Sequence, residues 1–238
     1  MKKLALPVIG LVALVLVVIA CGGSAPVPTP PPAEEILNAA DEAMSKLNSL
    51  HIDATMVVTI TSEGFTAPFM AMTFAGNMQN PDRVMGTGTL AGPGGIFPFD
   101  MAVIGDTTYF NQEATGWEVV PSDQTFVFDP LRIAQPNPEE VQDLIYVGEE
   151  TVGGRPGYHL SGKVASGLVN LALIGQDGDI SCNVDYWIDQ ENSYLLKMSL
   201  AGNTVLATTL SGPVDISMTT TFSDYNKPVT IEVPDVSK

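Results

Sequence analysis

The sequence predicts an α+β domain built on one large antiparallel sheet with helices against one face. Three observations carry that reading. Apolar and polar residues alternate over many segments from residue 51 onward, the period of two that belongs to half-buried strands. Short turn sequences separate those segments: Gly92-Pro93-Gly94-Gly95, Gly105-Asp106, Gly153-Gly154 and Asn192-Ser193. Helical periodicity is confined to a few grouped stretches.

The chain opens with Lys2 and Lys3, followed by an almost wholly apolar run over residues 4–19 that only Pro7 and Gly10 interrupt. Val18-Ile19-Ala20-Cys21 then supplies an aliphatic residue, a tolerated one, a small one and a cysteine, the order of a lipobox. A membrane-spanning helix needs about 20 consecutive apolar residues, and this run is shorter. Residues 1–20 are therefore expected to be a lipoprotein signal peptide, with Cys21 the lipidation site and the first mature residue. One acyl chain holds a protein to a bilayer only marginally, whereas two or more anchor it stably. The expected location is extracytoplasmic, on the cell membrane. Residues 21–33 then form a lipidated cysteine plus a proline-rich tether (GGSAPVPTPPP over 22–32), reaching about 30 Å in polyproline geometry. Residues 34–238 are enough for a single domain.

Within that domain, residues 33–50 read as an amphipathic helix: Ile36, Ala39, Ala40, Ala43, Leu47 and Leu50 recur at three- and four-residue spacings. Glu34 and Glu35 lie early and Lys46 late, which suits the helix dipole. Ile52, Ala54, Met56, Val58 and Ile60 alternate along a first strand. Glu63-Gly64 turns the chain, and Met70, Met72, Phe74 and Met78 share one side of a second. Later strands are expected at 84–90, 99–104, 107–110, 117–120, 158–164, 182–189, 194–200, 214–225 and 229–233. Two more helices are expected, at 129–146 after Asp129-Pro130 and at 165–174 with Leu168, Leu171 and Leu173.

Charge and composition exclude several function classes. The formal net charge is −17, from 10 basic and 27 acidic residues, and the acids are scattered rather than blocked. A basic stripe for nucleic acid is absent, and anionic headgroups should repel the domain, so residence on a membrane must come from the anchor. The two histidines, His51 and His159, have no partner at metal-ligand spacing, and no metal is expected. There is no Gly-x-Ser-x-Gly elbow, Walker loop or Gly-x-Gly-x-x-Gly turn. Asp177-Gly178-Asp179 lacks the ligand order of a calcium loop and reads as a turn. No catalytic residue is nominated, and the chain is not expected to be an enzyme. With Cys21 lipidated, Cys182 has no disulfide partner and reads as a small buried apolar residue. Ten methionines, several on strands, suit either a core or a cavity that adapts to flexible chains.

Seven blocks, in order along the chain, carry a resemblance. They are LNSLHIDATMVV from Leu47, GNMQNP from Gly76, VIGDTTYF from Val103 leading to Trp117, and Phe128-Asp129-Pro130. ETVGGRPGYHLSGKV from Glu150, Tyr186-Trp187-Ile188-Asp189, and TFSDYNKPVTIEVP from Thr221 complete the set. Together they resemble the LppX/LprA/LprF/LprG family of cell-envelope lipoproteins, whose fold is similar to that of the LolA/LolB carriers. That resemblance implies an incomplete antiparallel barrel curled around helices and enclosing an apolar cavity. It implies an acylated lipid or glycolipid as ligand, no cofactor, and a membrane lipid exporter as a further partner of some members. The connection over residues 90–97, rich in glycine, and the strong acidity depart from the family pattern.

Period-two pairing then nominates the cavity lining: Met56, Val58, Ile60, Met70, Met72, Phe74, Val103, Val184, Tyr186, Met198 and Leu200. The bland alternative for each is ordinary core packing. The expected function is a monomeric, membrane-tethered carrier that binds acylated lipids and moves or presents them in the envelope. An envelope sensor or assembly factor, binding a protein partner or an acylated signal with the same fold, is the competing reading.

Overall fold

The computed structural model describes residues 30–62, 64–112, 116–121, 130–165, 181–206 and 212–236. The expected signal peptide, Cys21, most of the tether, the helix over 165–174 and the Asp177-Gly178-Asp179 turn therefore lie outside the described residues. Residues Pro31–Lys238 form one unit, opening with helix α1 (Ala33–Ser45). Among the described residues, eleven strands follow: β1 (Ser49–Ser62), β2 (Phe65–Gln79), β3 (Arg83–Gly92), β4 (Gly95–Ile104), β5 (Thr107–Gln112), β6 (Gly116–Val120), β7 (Gln142–Val152), β8 (Arg155–Ala165), β9 (Ser181–Asp189), β10 (Leu195–Leu206) and β11 (Gly212–Ser223). A four-residue helix α2 (Pro130–Ile133) and a single 3₁₀ turn at Pro138–Glu140 lie between β6 and β7.

All strands join one antiparallel sheet in the order β6-β5-β4-β3-β2-β1-β11-β10-β9-β8-β7. It is two meanders, β1 to β6 and β7 to β11, sewn together where β1 meets β11 from Ile60↔Val214 to His51↔Ser223. The sheet does not close: β6 and β7 are its two edges, and the link between them carries α2 and the 3₁₀ turn. One face is apolar throughout. Ile52, Ala54, Met56 and Val58 of β1 bury beside Val214, Ile216, Met218 and Phe222 of β11 and Val184, Tyr186 and Ile188 of β9. Helix α1 lies on that face through Ile36, Leu37, Ala40 and Met44. Glycine makes the β2–β3–β4 corner possible: the Phe74 ring lies over Gly76 and Gly86, and the Phe99 ring over Gly88, where any Cβ would collide.

The opposite face is polar and carries one cross-strand cluster. His159 of β8 sets Nδ1 at 2.9 Å from Glu150 and Nε2 at 3.0 Å from Asp185, and its ring stacks on Trp187 with centroids 4.4 Å apart. The Trp187 indole N–H donates to Glu150 at 2.8 Å, while the Lys197 ammonium sits 4.0 Å from the Trp187 ring centroid. Four strands, β7 to β10, are tied on the outside by these five side chains.

The two ends of the sheet differ. At one end the turns are pinned by polar contacts: Asn80 donates to the Leu47 carbonyl, Asn48 N–H donates to Asn226, and Ser49 donates to the Lys227 carbonyl. There Arg155 pairs with the buried Asp189, and the Tyr225 hydroxyl lies 2.7 and 2.8 Å from the carbonyls of Leu195 and Phe222. The β1–β2 and β3–β4 hairpins turn at the other end.

Three expectations are corrected. The first helix stops at Ser45 rather than residue 50; Leu50 faces the core as a strand residue opposite Met78, and it deceives because it lies three residues after Leu47, a helical spacing, and two before Ile52, a strand spacing. Residues 129–146 are not one helix. Pro136 and Pro138 interrupt it, and Gln142 onward is strand β7, whose two register shifts place apolar side chains on both faces and mimic a helical pattern. Residues 229–233 form no strand, since β1 and β11 already have neighbours on both sides. The segment is instead held at Ile231, whose N–H donates to Gln79 and whose carbonyl accepts from Arg83. The glycine-rich connection proves to be a tight turn at Pro93-Gly94.

Two outcomes are expected. Gly88→Ala should lower stability by about 1–3 kcal/mol through overpacking against Phe99 and the Thr73 carbonyl, read as a lower urea midpoint. The Trp187 hydrogen bond above all, opposed in part by burial and then aided by His159 and Lys197, holds the Glu150 carboxyl below its ordinary 4.5. Stability from a depressed acid is present above the ordinary value and lost as pH falls through the depressed one. The gap between the parent and Glu150→Gln in urea titrations should therefore narrow as the pH drops below 4.5.

Candidate functional site

The concave apolar face is where the nominated residues meet. All eleven belong to one packed cluster. Met56, Val58, Met72, Phe74, Val184, Tyr186, Met198 and Leu200 are buried, while Ile60, Met70 and Val103 are partly buried at its margin. The parity is that of the strands: even positions of β1, β2, β9 and β10 point inward, and β4 points Phe99, Met101 and Val103 the same way. In this conformation most of the eleven are packed side chain against side chain.

A pocket of about 300 Å³ opens where α1, the α2 link and the sheet come together. Its floor is Val164, Tyr186 and Met198; its mouth is Asp41, Arg132, Gln135, Asn137 and Glu140. Only Tyr186 and Met198 of the nominated set reach it. Val164 went unnominated although it obeys the same alternation. The polar mouth was hidden because residues 129–146 read as a helix, which scatters Arg132, Asn137 and Glu140 around an axis. Those side chains are organised by short-range contacts: Arg132 pairs with Glu140 at 2.9 Å, Asn137 donates to the other Glu140 oxygen at 3.1 Å and accepts from Glu139 N–H. Burial, with some help from the Glu140 charge, pushes the Tyr186 phenol far up, so it stays neutral.

The thiol and the imidazoles of the described residues lie away from this pocket. Cys182 is buried in the sheet and burial raises its thiol, which opposes thiolate formation. The His51 ring contacts Asn77 at 2.9 Å on the outer face, and His159 belongs to the Trp187 cluster. Among the described residues no three histidine, cysteine, aspartate or glutamate side chains gather as a metal site. Nor is any helix among them long and apolar enough to cross a membrane.

Comparison with known proteins agrees with this architecture. No curated protein sequence matches the chain. Among solved structures, LprF from Mycobacterium bovis superposes with a TM-score of 0.51 at 20% identity, over 86% of this chain and 99% of its own. The Mycobacterium tuberculosis lipoprotein LppX superposes with a TM-score of 0.53 at 17% identity, over 84% and 98%. A LolA superfamily protein from Nitrosomonas europaea aligns more loosely, with a TM-score of 0.32 at 12% identity over 85% and 96%. At these identities the likeness is one of fold. The model of the LppX_LprAFG lipoprotein family matches residues 32–231, nearly the whole unit built on the eleven-stranded sheet, and the chain belongs to that family.

Proposed function

We propose that the protein is a membrane-tethered extracytoplasmic lipoprotein that binds acylated lipids or glycolipids on its concave face and carries or presents them in the cell envelope. The observation that carries this reading is the pocket beneath α1, with an apolar floor of Val164, Tyr186 and Met198 under a polar mouth of Asp41, Arg132, Gln135, Asn137 and Glu140. An amphiphile has that division of chemistry. Each methylene of an acyl chain costs about 0.8 kcal/mol in water, so escape from a bilayer unaided is very slow, and an apolar face that replaces water speeds it.

At about 300 Å³ the pocket stands at the low end of small-ligand sites, which span about 300–1,000 Å³. A lipid with several chains therefore enters by displacing α1 or the α2 link. The closed face is the unloaded state, and Met56, Val58, Ile60, Met70, Met72, Phe74, Val103, Val184 and Leu200 become lining as the helix lifts. Methionine suits that use, because an unbranched thioether repacks at little cost. Cys21 supplies the anchor, and a lipid exporter is the partner that would hand over cargo.

Mass spectrometry of gently extracted protein should find lipid near one equivalent. Met198→Trp, which fills the pocket floor, should reduce it several-fold while the far-ultraviolet circular dichroism stays that of a folded sheet. Absence of co-purifying lipid, or a Met198→Trp protein that binds as much, defeats the carrier reading; tight retention without transfer between vesicles favours a sensor. Cys21→Ser should fold and bind lipid in vitro yet lose acylation and membrane residence. A variant that still incorporates labelled palmitate defeats the assignment of Cys21.

A further inference from the structure

We infer that the β1–β2 and β3–β4 hairpin tips are a membrane-docking element, which seats that end of the sheet on the bilayer surface through Phe65, Ile96 and Phe97. Phe65 is 73% exposed, Ile96 72% and Phe97 46%. Large apolar side chains at that exposure are a cost in water, and aromatic rings on turns are at home in the headgroup region. The strand register places both turns at one end of the sheet. Leu90 pairs with Phe97 and Ala91 with Ile96 across the shorter hairpin, while β2 runs six residues beyond its last partner on β3, Ala71↔Ala91, to reach Phe65.

Charge selects the bilayer as occupant. The chain carries a formal −17, yet residues 64–81 and 84–99 contain no Asp, Glu, Lys, Arg or His. The opposite end holds Asp82, Arg83, Asp106, Arg155, Asp189, Glu191, Asp224 and Lys227. Glu63, in the β1–β2 connection, is the one charge between residues 54 and 81; close to an anionic surface the carboxylates gathered elsewhere are repelled more than these two hairpins, so the field itself turns the tips toward the lipid. The placement of α1 is compatible with that orientation. Its C-terminal Met44 lies against Leu195 N–H and Asn80 at the pinned end, which leaves the hairpin tips clear of that end of the helix. A tether of about 30 Å leaves the domain within reach of the bilayer, and the tips are the part that profits from contact. From them an apolar path leads inward along the concave face: Ile60, Met70 and Leu90 are partly buried, and Val58 and Met72 are fully so.

The inference leans on the proposed function only for delivering the chain to a membrane, which an uncleaved N-terminal segment would also do. The test uses the full chain in vesicles of equal parts phosphatidylcholine and phosphatidylglycerol. Phe65→Trp and Phe97→Trp each add a reporter beside the native Trp117 and Trp187, and brominated acyl chains quench indoles that enter the bilayer. Each new tryptophan should be quenched several-fold more than the native pair, with blue-shifted emission. Quenching no stronger than that of the native pair overturns the inference. Blue-shifted emission without bromine quenching, in a chain that cross-links to itself or to a protein partner, overturns it as well, with a second copy or that partner as the occupant. The exposed positions tolerate the change, so misfolding is not expected to intervene. Measured on the same samples, lipid content separates the two readings. Tips quenched in a protein without bound lipid leave the docking intact and the carrier reading broken, and the reverse pattern does the opposite.

Discussion

The structure is governed by the need to cover one long apolar face. Eleven antiparallel strands present one continuous apolar face, and a sheet can afford such a face only if something covers it. Among the described residues the cover is modest: thirteen residues of α1, the single turn of α2 and one 3₁₀ turn. The sheet packs its own side chains, with the Phe74 ring folded over Gly76 and Gly86 and the Phe99 ring over Gly88. The pocket under α1 lies where that cover meets the sheet.

Most of the architecture was legible in the sequence because strand periodicity is local. The buried positions of β1 from Ile52 to Val58 fall on the expected parity, and the turns at Gly105-Asp106 and Gly153-Gly154 sit where glycine calls for them. What failed to show was long-range. Strand β7 is bulged at two places, and a bulge shifts the apolar side by one residue, so Val141, Leu144 and Ile145 took on helical spacing. Residues 229–233 alternate well enough for a strand but arrive after both central strands are paired. The site divided along the same line. The apolar face could be nominated position by position, whereas the mouth of the pocket depends on where a proline-broken link lands, and nothing local in Arg132 or Glu140 announces that.

The pinned end explains why weak blocks of sequence add up to a fairly specific pattern. Asn80, Arg155, Asp189, Tyr225 and Asn226 each occupy one of the resembling blocks, and each binds a turn or chain terminus to another element. Arg155 also lies over the Tyr225 ring, 5.4 Å from its centroid. These contacts fix the order in which strands meet at that end while saying little about what the concave face holds. The frame and the lining of the concave face are thus specified by separate parts of the molecule.

The unclosed sheet has a final consequence for solubility. Strands β6 and β7 each leave one row of backbone groups unpaired with any strand, and such rows invite a neighbouring molecule to add its own strand. The β6 edge is only five residues long and carries Glu118. The β7 edge is longer and displays Ile145 and Val147, the kind of segment that nucleates aggregates. Its two bulges break the straight hydrogen-bonding row, Asp143 is paired with Lys163 at 2.8 Å, and Glu149 and Glu150 set adjacent carboxylates along it. Two such edges brought face to face would meet carboxylate against carboxylate. Part of the acidity that first looked like a generic surface property therefore acts as a guard on an edge that the fold cannot remove without giving up its open side.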